Sequence, residues 1–275
     1  IENCGIRGGS VCYGGGVAVI YGGTFVMDDG VIKNCFVESS YLDYWDPETC
    51  FTAMGGGVFV SGGSSFVIKE GTVLDNSATN MGGGIAVVSA YEEIATGLGN
   101  LKSSAEILGG VIQKNSAKTG AGVFASAYYY AWADGICATT PTIGSSAKPG
   151  IYIDNAQILG NIADTTDGYG GGVFVSGLKS PAVASIKGTT VKGNKAAMGG
   201  GVASYVYWTN MNIDGSSITE NTATIKGGGF LAVNNTSGGK TTIKDTVLCN
   251  NLAGEAASDV YLNKAPLTLP SAGSM

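Results

Sequence analysis

No histidine occurs among the 275 residues, and arginine occurs once, at Arg7. Without imidazole there is no Ser-His-Asp triad, no Cys-His pair and no His-ligated zinc. A single arginine gives no set of Arg forks for phosphate or nucleic acid. The net charge of −6 has the wrong sign for a DNA or anionic-membrane partner. Charged residues make up only 13% against 44% hydrophobic, so the chain can bury a core, which argues against disorder. No apolar run reaches 18 residues, so a transmembrane helix and insertion of this segment in a membrane are not expected. No basic region followed by an apolar run opens the chain, so no signal peptide is visible. The cysteines (Cys4, Cys12, Cys35, Cys50, Cys137, Cys249) form no CxxC pair, which removes the zinc-ribbon and thioredoxin readings.

Glycine is what the chain has in excess: 46 residues, against an average usage near 7%. Much of it recurs in one motif, three small residues followed by an apolar one. The copies begin at Gly14, Gly55, Gly82, Gly120, Gly170, Gly199 and Gly227, and supply 20 of the glycines. Their spacings are 41, 27, 38, 50, 29 and 28 residues. The unit is therefore 27 to 29 residues, and three intervals carry insertions.

A second motif is an apolar residue three positions before an Asn. It reads Val31/Asn34, Val73/Asn76, Ile112/Asn115, Ile158/Asn161, Val191/Asn194, Ile218/Asn221 and Val247/Asn250. Ala recurs two residues after the Asn, at Ala78, Ala117, Ala163, Ala196 and Ala223. Eight residues before it stand Val26, Ile68, Ile107, Ile153, Ile186 and Ile213, with Ile243 one residue out of step. Residues two apart after the glycines, such as Val17/Val19, Val58/Val60 and Val173/Val175, have the period of a strand.

Three short parallel strands per unit, repeated, predict an all-β right-handed parallel β-helix, a β-solenoid of pectate-lyase-like architecture. About seven coils at roughly 4.8 Å each give a rod of about 34 Å. The reading is one domain over 1–275. It has a partial first coil at 1–13, inserted loops at 35–54, 88–104 and 124–150, and a degenerate coil or cap at 251–275. Because Ile1-Glu2-Asn3 falls mid-coil, the chain is read as a segment of a longer protein. The Asn residues are expected to stack as a ladder of side-chain amides at one corner. Cys4 and Cys35 each follow a corner Asn, so they occupy equivalent places in adjacent coils, within disulfide reach. The alternatives there are a bridge or two small apolar fillers.

The glycine and Asn motifs together resemble the GGA[ILV] and FxxN repeats of the chlamydial polymorphic outer-membrane proteins. They look still more like the Gly-rich β-helix repeats of large surface and adhesin-like proteins of gut bacteria and archaea. Val or Ile stands here where the chlamydial motif has Phe, and Gly where it has Ala. The resemblance runs from Asn3 to about Val260. It implies a secreted or surface-displayed β-helix, often an adhesin, with no catalytic residue and no cofactor or metal among the motifs.

Function in such a scaffold sits in the insertions. Three segments hold the aromatic candidates: Tyr41, Tyr44 and Trp45; Tyr128, Tyr129, Tyr130 and Trp132; Tyr205, Tyr207 and Trp208. Such rings suit a host glycan or protein partner, or they anchor their own loops to the rod. The Asp28-Asp29 pair occupies the turn before a consensus strand, a turn role by position, whereas Asp43/Asp46/Glu48 and Asp164/Asp167 are the raw material for a polysaccharide hydrolase or lyase, or for Ca²⁺. The alternative is solvated loops and turns. An ice-binding face would need a regular Thr array. The outward row Gly30, Thr72, Val111, Gln157, Thr190, Ser217, Thr246 is irregular. The expected role is therefore a non-enzymatic surface scaffold or adhesin, with a carbohydrate-active enzyme as the alternative.

Overall fold

The structure is a computed structural model. It describes residues 1–9, 12–39, 53–90, 102–128, 132–133, 136–137, 150–233, 239–254, 256–265 and 267–269. For residues 9, 90, 127–128, 132–133, 136–137, 178–181, 206–208 and 257 only the backbone is described. Among these residues the regular structure is all β, in parallel strands that stack in chain order as a parallel β-helix.

Each coil contributes to four stacked rows of strands. Row a follows the glycines (Val58–Val60, Ile85–Ala90, Val123–Tyr128), and row b comes next (Ser65–Ile68, Ser104–Ile107, Gly150–Asp154). Row c precedes the Asn corner (Thr72–Leu74, Val111–Gln113, Gln157–Leu159), and row d follows it (Phe36–Ser39, Lys195–Met198, Thr222–Lys226). Rows c and d form sheets of their own. Rows a and b join into one 14-stranded sheet, because Val173–Lys187 and Val202–Asp214 run unbroken through both. The three strands expected per coil are rows a, b and c; row d is a fourth, and the four rows form three sheets. The Ala two residues after the corner Asn marks that row. Ala163, Ala196 and Ala121 pack there as a small satellite core.

The main core runs down the axis. Row c supplies Ile32, Val73, Ile112, Ile158, Val191 and Ile218, and row b supplies Met27, Ile68, Ile107, Ile153, Ile186, Ile213 and Ile243. Row a adds alternate residues such as Val58/Val60 and Val173/Val175. Each such side chain, removed from water, contributes about 1.5–3 kcal/mol. β-branched residues dominate because they fit the pleated surface with little loss of χ1 freedom.

The Asn ladder is present, but its two ends sit one residue later than the motif suggests. Asn76, Asn115, Asn161, Asn194 and Asn221 are fully buried and stacked. Each Nδ2 donates to the Oδ1 of the next coil at 2.9–3.0 Å and to a row c carbonyl of the preceding coil. Each Oδ1 also accepts the backbone N–H of the preceding coil's ladder residue. From Asn115 to Asn221 both donors and both lone pairs are used, which is why a polar side chain is stable there.

The next rung is Asn251, not Asn250, and the first coil presents Cys35, not Asn34. Asn34 and Asn250 instead hold the exposed left-handed position (φ 54° and 59°) that Asp75, Lys114 and Glu220 fill elsewhere. Val31 and Val247 accordingly face solvent, and Ile32 and Leu248 face inward. Val26 is likewise exposed while Met27 is buried. With Asn251 as the rung, Ile243 falls into step. The outward row becomes Val31, Thr72, Val111, Gln157, Thr190, Ser217 and Val247, with even fewer threonines than counted from the motif.

Each glycine of a triplet has its own reason, as Gly170-Gly171-Gly172 illustrates. Gly170 has φ +62°. A Cβ on Gly171 would overlap the backbone carbonyl of Lys195 in row d. A Cβ on Gly172 would lie 2.6 Å from the Gly201 carbonyl and 3.1 Å from Asn194 Nδ2. The triplet therefore lets a corner lie flat against row d and the ladder.

The insertions are shorter than read from the motif. Phe36–Ser39 pairs with both neighbouring coils, so the first begins after Ser39. Ile85–Ala90 and Val123–Tyr128 are paired along their lengths, so the second and third begin after Ala90 and Tyr128. At the C-terminal end Leu252–Ala253, Val260–Asn263 and Leu267–Thr268 continue rows d, a and b. Ala256–Ala257 turns back antiparallel on Leu252–Ala253.

Candidate functional site

The outward positions of row a do not simply face water. At the first glycine of each triplet the chain folds back, bringing the residue before the glycines over the second residue of row a. Met54, Phe59, Ala86, Val88, Phe124, Phe174, Ala203 and Leu231 form a second buried cluster there, separate from the axial core. It is an external apolar seam along the rod. Tyr13 stacks on Phe59 with ring centroids 4.4 Å apart, and Phe124 stacks on Phe174 at 5.5 Å. The sequence carried a trace of it. The residue before the triplet is Tyr13, Met54, Met81, Tyr169 or Met198 in five of the seven copies.

Towards the C-terminal end the seam opens and is edged by half-buried tyrosines. Tyr169 tilts against Tyr205 at 4.9 Å and against Phe174 at 6.1 Å. Burial, and then the neighbouring Tyr205 hydroxyl, push the Tyr169 phenol up to about 12. Lys226 Nζ donates to the Tyr261 hydroxyl at 3.0 Å and lies 4.7 Å from that ring's centroid. This stretch offers ring faces, phenol groups and one exposed cation side by side.

The seam ends at the corner between rows a and b, where coil length varies. From the inward residue of row a to that of row b is six positions at Val60–Phe66. It is eighteen at Val87–Ala105, twenty-six at Ala125–Ile151 and seven at Ser204–Met211. These exits are stacked in register: Ala90 opposes Tyr128, Ser126 opposes Ser176, and Tyr205 opposes Val233. The backbone thus carries two of the three aromatic segments to one edge of the rod.

Of the expected ligand-contacting residues, Tyr205 is the one whose side chain is described, half-buried on the seam. Tyr128 and Trp132 lie in strands, as do Tyr207 and Trp208, but their side chains are outside the described set. Tyr41, Tyr44, Trp45, Tyr129 and Tyr130 lie outside the described residues. The strand before Tyr41 in the chain, Phe36–Ser39, belongs to row d, at a different edge.

Among the described residues the carboxylates do not converge. Asp28 pairs with Lys69 at 2.7 Å and Asp167 with Lys118 at 3.0 Å, each across adjacent coils. Asp164 accepts the Thr166 N–H at 2.7 Å and its hydroxyl at 2.5 Å, and these bonds hold its pKa below the usual value. These are turn and ion-pair roles. Asp43, Asp46 and Glu48 lie outside the described residues. Among the described residues no three His, Cys, Asp or Glu side chains come together as a metal site would require. Cys4 and Cys35 stack one coil apart as expected and both thiols are free.

No family model, no curated protein and no solved structure matches this chain.

Proposed function

We propose that the chain is an extracellular, non-enzymatic surface scaffold, an adhesin module that presents its variable corner to a host glycan or protein. One observation carries the reading. The rod keeps a fixed spacing at the Asn corner, while the spans between rows a and b vary in length, and the strands holding Tyr128, Tyr205, Tyr207 and Trp208 run to that corner. A rigid frame with variable edges is the arrangement by which repeat proteins hold a recognition surface. Tyrosine suits that edge: its ring face covers apolar or sugar C–H surface while its hydroxyl stays hydrogen-bonded. The resemblance to surface β-helices supports a secreted or cell-surface location, and the motifs call for no cofactor.

Screening the chain on glycan and mucin arrays tests the reading, with a parallel assay for reducing ends released from polysaccharides. Binding without release is expected, and it should weaken at least tenfold in Tyr205→Ala if the seam contributes. Release of reducing ends that is lost in Asp43→Asn or Asp46→Asn would replace this reading with a carbohydrate-active enzyme.

A further inference from the structure

The ladder row changes chemistry at one end. Read along the rod, it runs Cys4, Cys35, Asn76, Asn115, Asn161, Asn194, Asn221 and Asn251, and Asp259, from the glycine-corner position of the Asn251 coil, caps it. At the far end Asp259 Oδ1 accepts Asn251 Nδ2 at 2.8 Å and its backbone N–H at 3.2 Å, so a carboxylate closes the row in the place of an amide. At the near end two successive rungs are thiols. Cys35 N–H still donates to Asn76 Oδ1 at 2.9 Å, but the Cys35 side chain has no amide to pass to the coil before. The coil before presents Cys4.

The two cysteines share one local geometry. Each follows an Asn in the left-handed conformation (Asn3 φ 56°, Asn34 φ 54°). Each Sγ donates to the carbonyl two residues earlier, at 3.4 Å for Cys4 and 3.3 Å for Cys35. The Phe36 N–H donates to the Cys4 carbonyl at 2.9 Å, and Gly5 pairs with Phe36, which fixes the register one residue on. Parallel neighbours in such a register have Cα atoms about 4.8 Å apart, within the range a disulfide spans. The thiols also differ in access. Cys4 is exposed, while Cys35 is buried and its pKa is raised chiefly by that burial. The other described thiols have different settings: Cys12 is buried against Val37 and Ala53, and Cys249 lies in row c of a distant coil.

We propose that Cys4 and Cys35 form a disulfide when the chain meets a low-molecular-weight disulfide, giving the Asn ladder a covalent first rung. The exposed Cys4 thiolate attacks one sulfur of oxidised glutathione, forming a Cys4–glutathione bond and releasing one glutathione thiolate. The Cys35 thiol gives its proton to solvent, and its sulfur attacks Cys4 Sγ. The Cys4–Cys35 bond forms as the second glutathione thiolate leaves. Two protein thiols lose two electrons in all, and one glutathione disulfide becomes two glutathiones. The bond ties the strand Gly5–Gly9 covalently to its partner Phe36–Ser39 in the next coil.

The test uses the full chain, incubated with oxidised glutathione and mapped by peptide mass spectrometry, with amide exchange measured before and after. A linked Cys4–Cys35 peptide without retained glutathione is expected. Amide protection across Gly5–Gly9 should rise on the order of tenfold or more. In Cys4→Ser, Cys35 should stay unlinked and free of glutathione while the rest of the rod exchanges as before. Glutathione retained on Cys4 with Cys35 still open to alkylation, or a link from Cys4 to any other cysteine, would overturn the proposal. A Cys4–Cys35 link that leaves Gly5–Gly9 exchange unchanged would overturn its role as a rung.

Discussion

Two corners of the same coil obey opposite rules. At the Asn corner each inward residue of row c is followed three positions later by a ladder residue, from Ile32/Cys35 to Leu248/Asn251. At the corner between rows a and b the equivalent span runs from six to twenty-six positions. The difference comes from hydrogen bonding. The Asn corner buries a continuous set of donors and acceptors that close only when each coil delivers its amide at the same height. The other corner makes no such demand. There the contacts are apolar or between small hydroxyl side chains, and loop closure grows costlier only slowly with length. The first corner carries the architecture, and the second is free to vary.

An identical insertion at the two corners gives the largest contrast. Three residues, Gly-Ser-Gly, placed between Asn194 and Lys195 should prevent cooperative folding, because every rung beyond would lose register. The same three between Gly62 and Gly63 should cost less than about 1 kcal/mol in chemical denaturation. Equal effects would remove the distinction between the corners. Next in size is Asn194→Leu. It strips Asn161 of the acceptor for its N–H and Nδ2, and Ile158 of the donor to its carbonyl. At least about 3 kcal/mol of destabilisation is expected from those buried orphans. A denaturation midpoint within error of the parent would mean the ladder is ornamental.

Gly171→Ala should cost about 1–3 kcal/mol, since its methyl would be driven into the Lys195 carbonyl. Gly193→Asn should cost less, because the site is open and Asn34 and Asn250 hold the same left-handed position in other coils. Thermal melts of the two variants rank them, and the reverse order would contradict the close packing of triplet on row d. The smallest effect concerns the outer seam. Tyr169 has its pKa raised to about 12 in the fold, above the ordinary value near 10. Its contribution is therefore complete below about pH 10 and is lost as the pH rises through about 12. Tyr169→Phe should flatten that part of the stability profile, and an unchanged profile would show that the phenol is not shielded by Tyr205 and burial.

Some of this was legible in the residues and some was not. The recurring triplets and the Asn spacing place the inward residues of the middle coils, from Val73 to Asn221, because there one chemical type stands at each position. At the ends the pattern is ambiguous: Asn250 and Asn251 are adjacent and identical, and Asn34 is followed by a cysteine. The chain chooses Asn251 and Cys35, and a slip of one residue turns Val31 and Val247 outward. Row d escaped notice because its strands are two to five residues long, with one buried Ala as their mark. The seam escaped because its members are separated by the glycines that fold them together.

The sequence by itself determined that this chain is a stack of similar coils, what their length is, and that amides and glycines mark their corners. Those properties follow from periodicity, which linear order preserves. Only the tertiary structure decided which of two neighbouring side chains faces in at each end and that row a builds a second apolar seam. It also decided that the two longest spans between rows a and b open along one edge of the rod. Each of these depends on what the next coil places at the same height, a relation between residues distant along the chain and stacked in space.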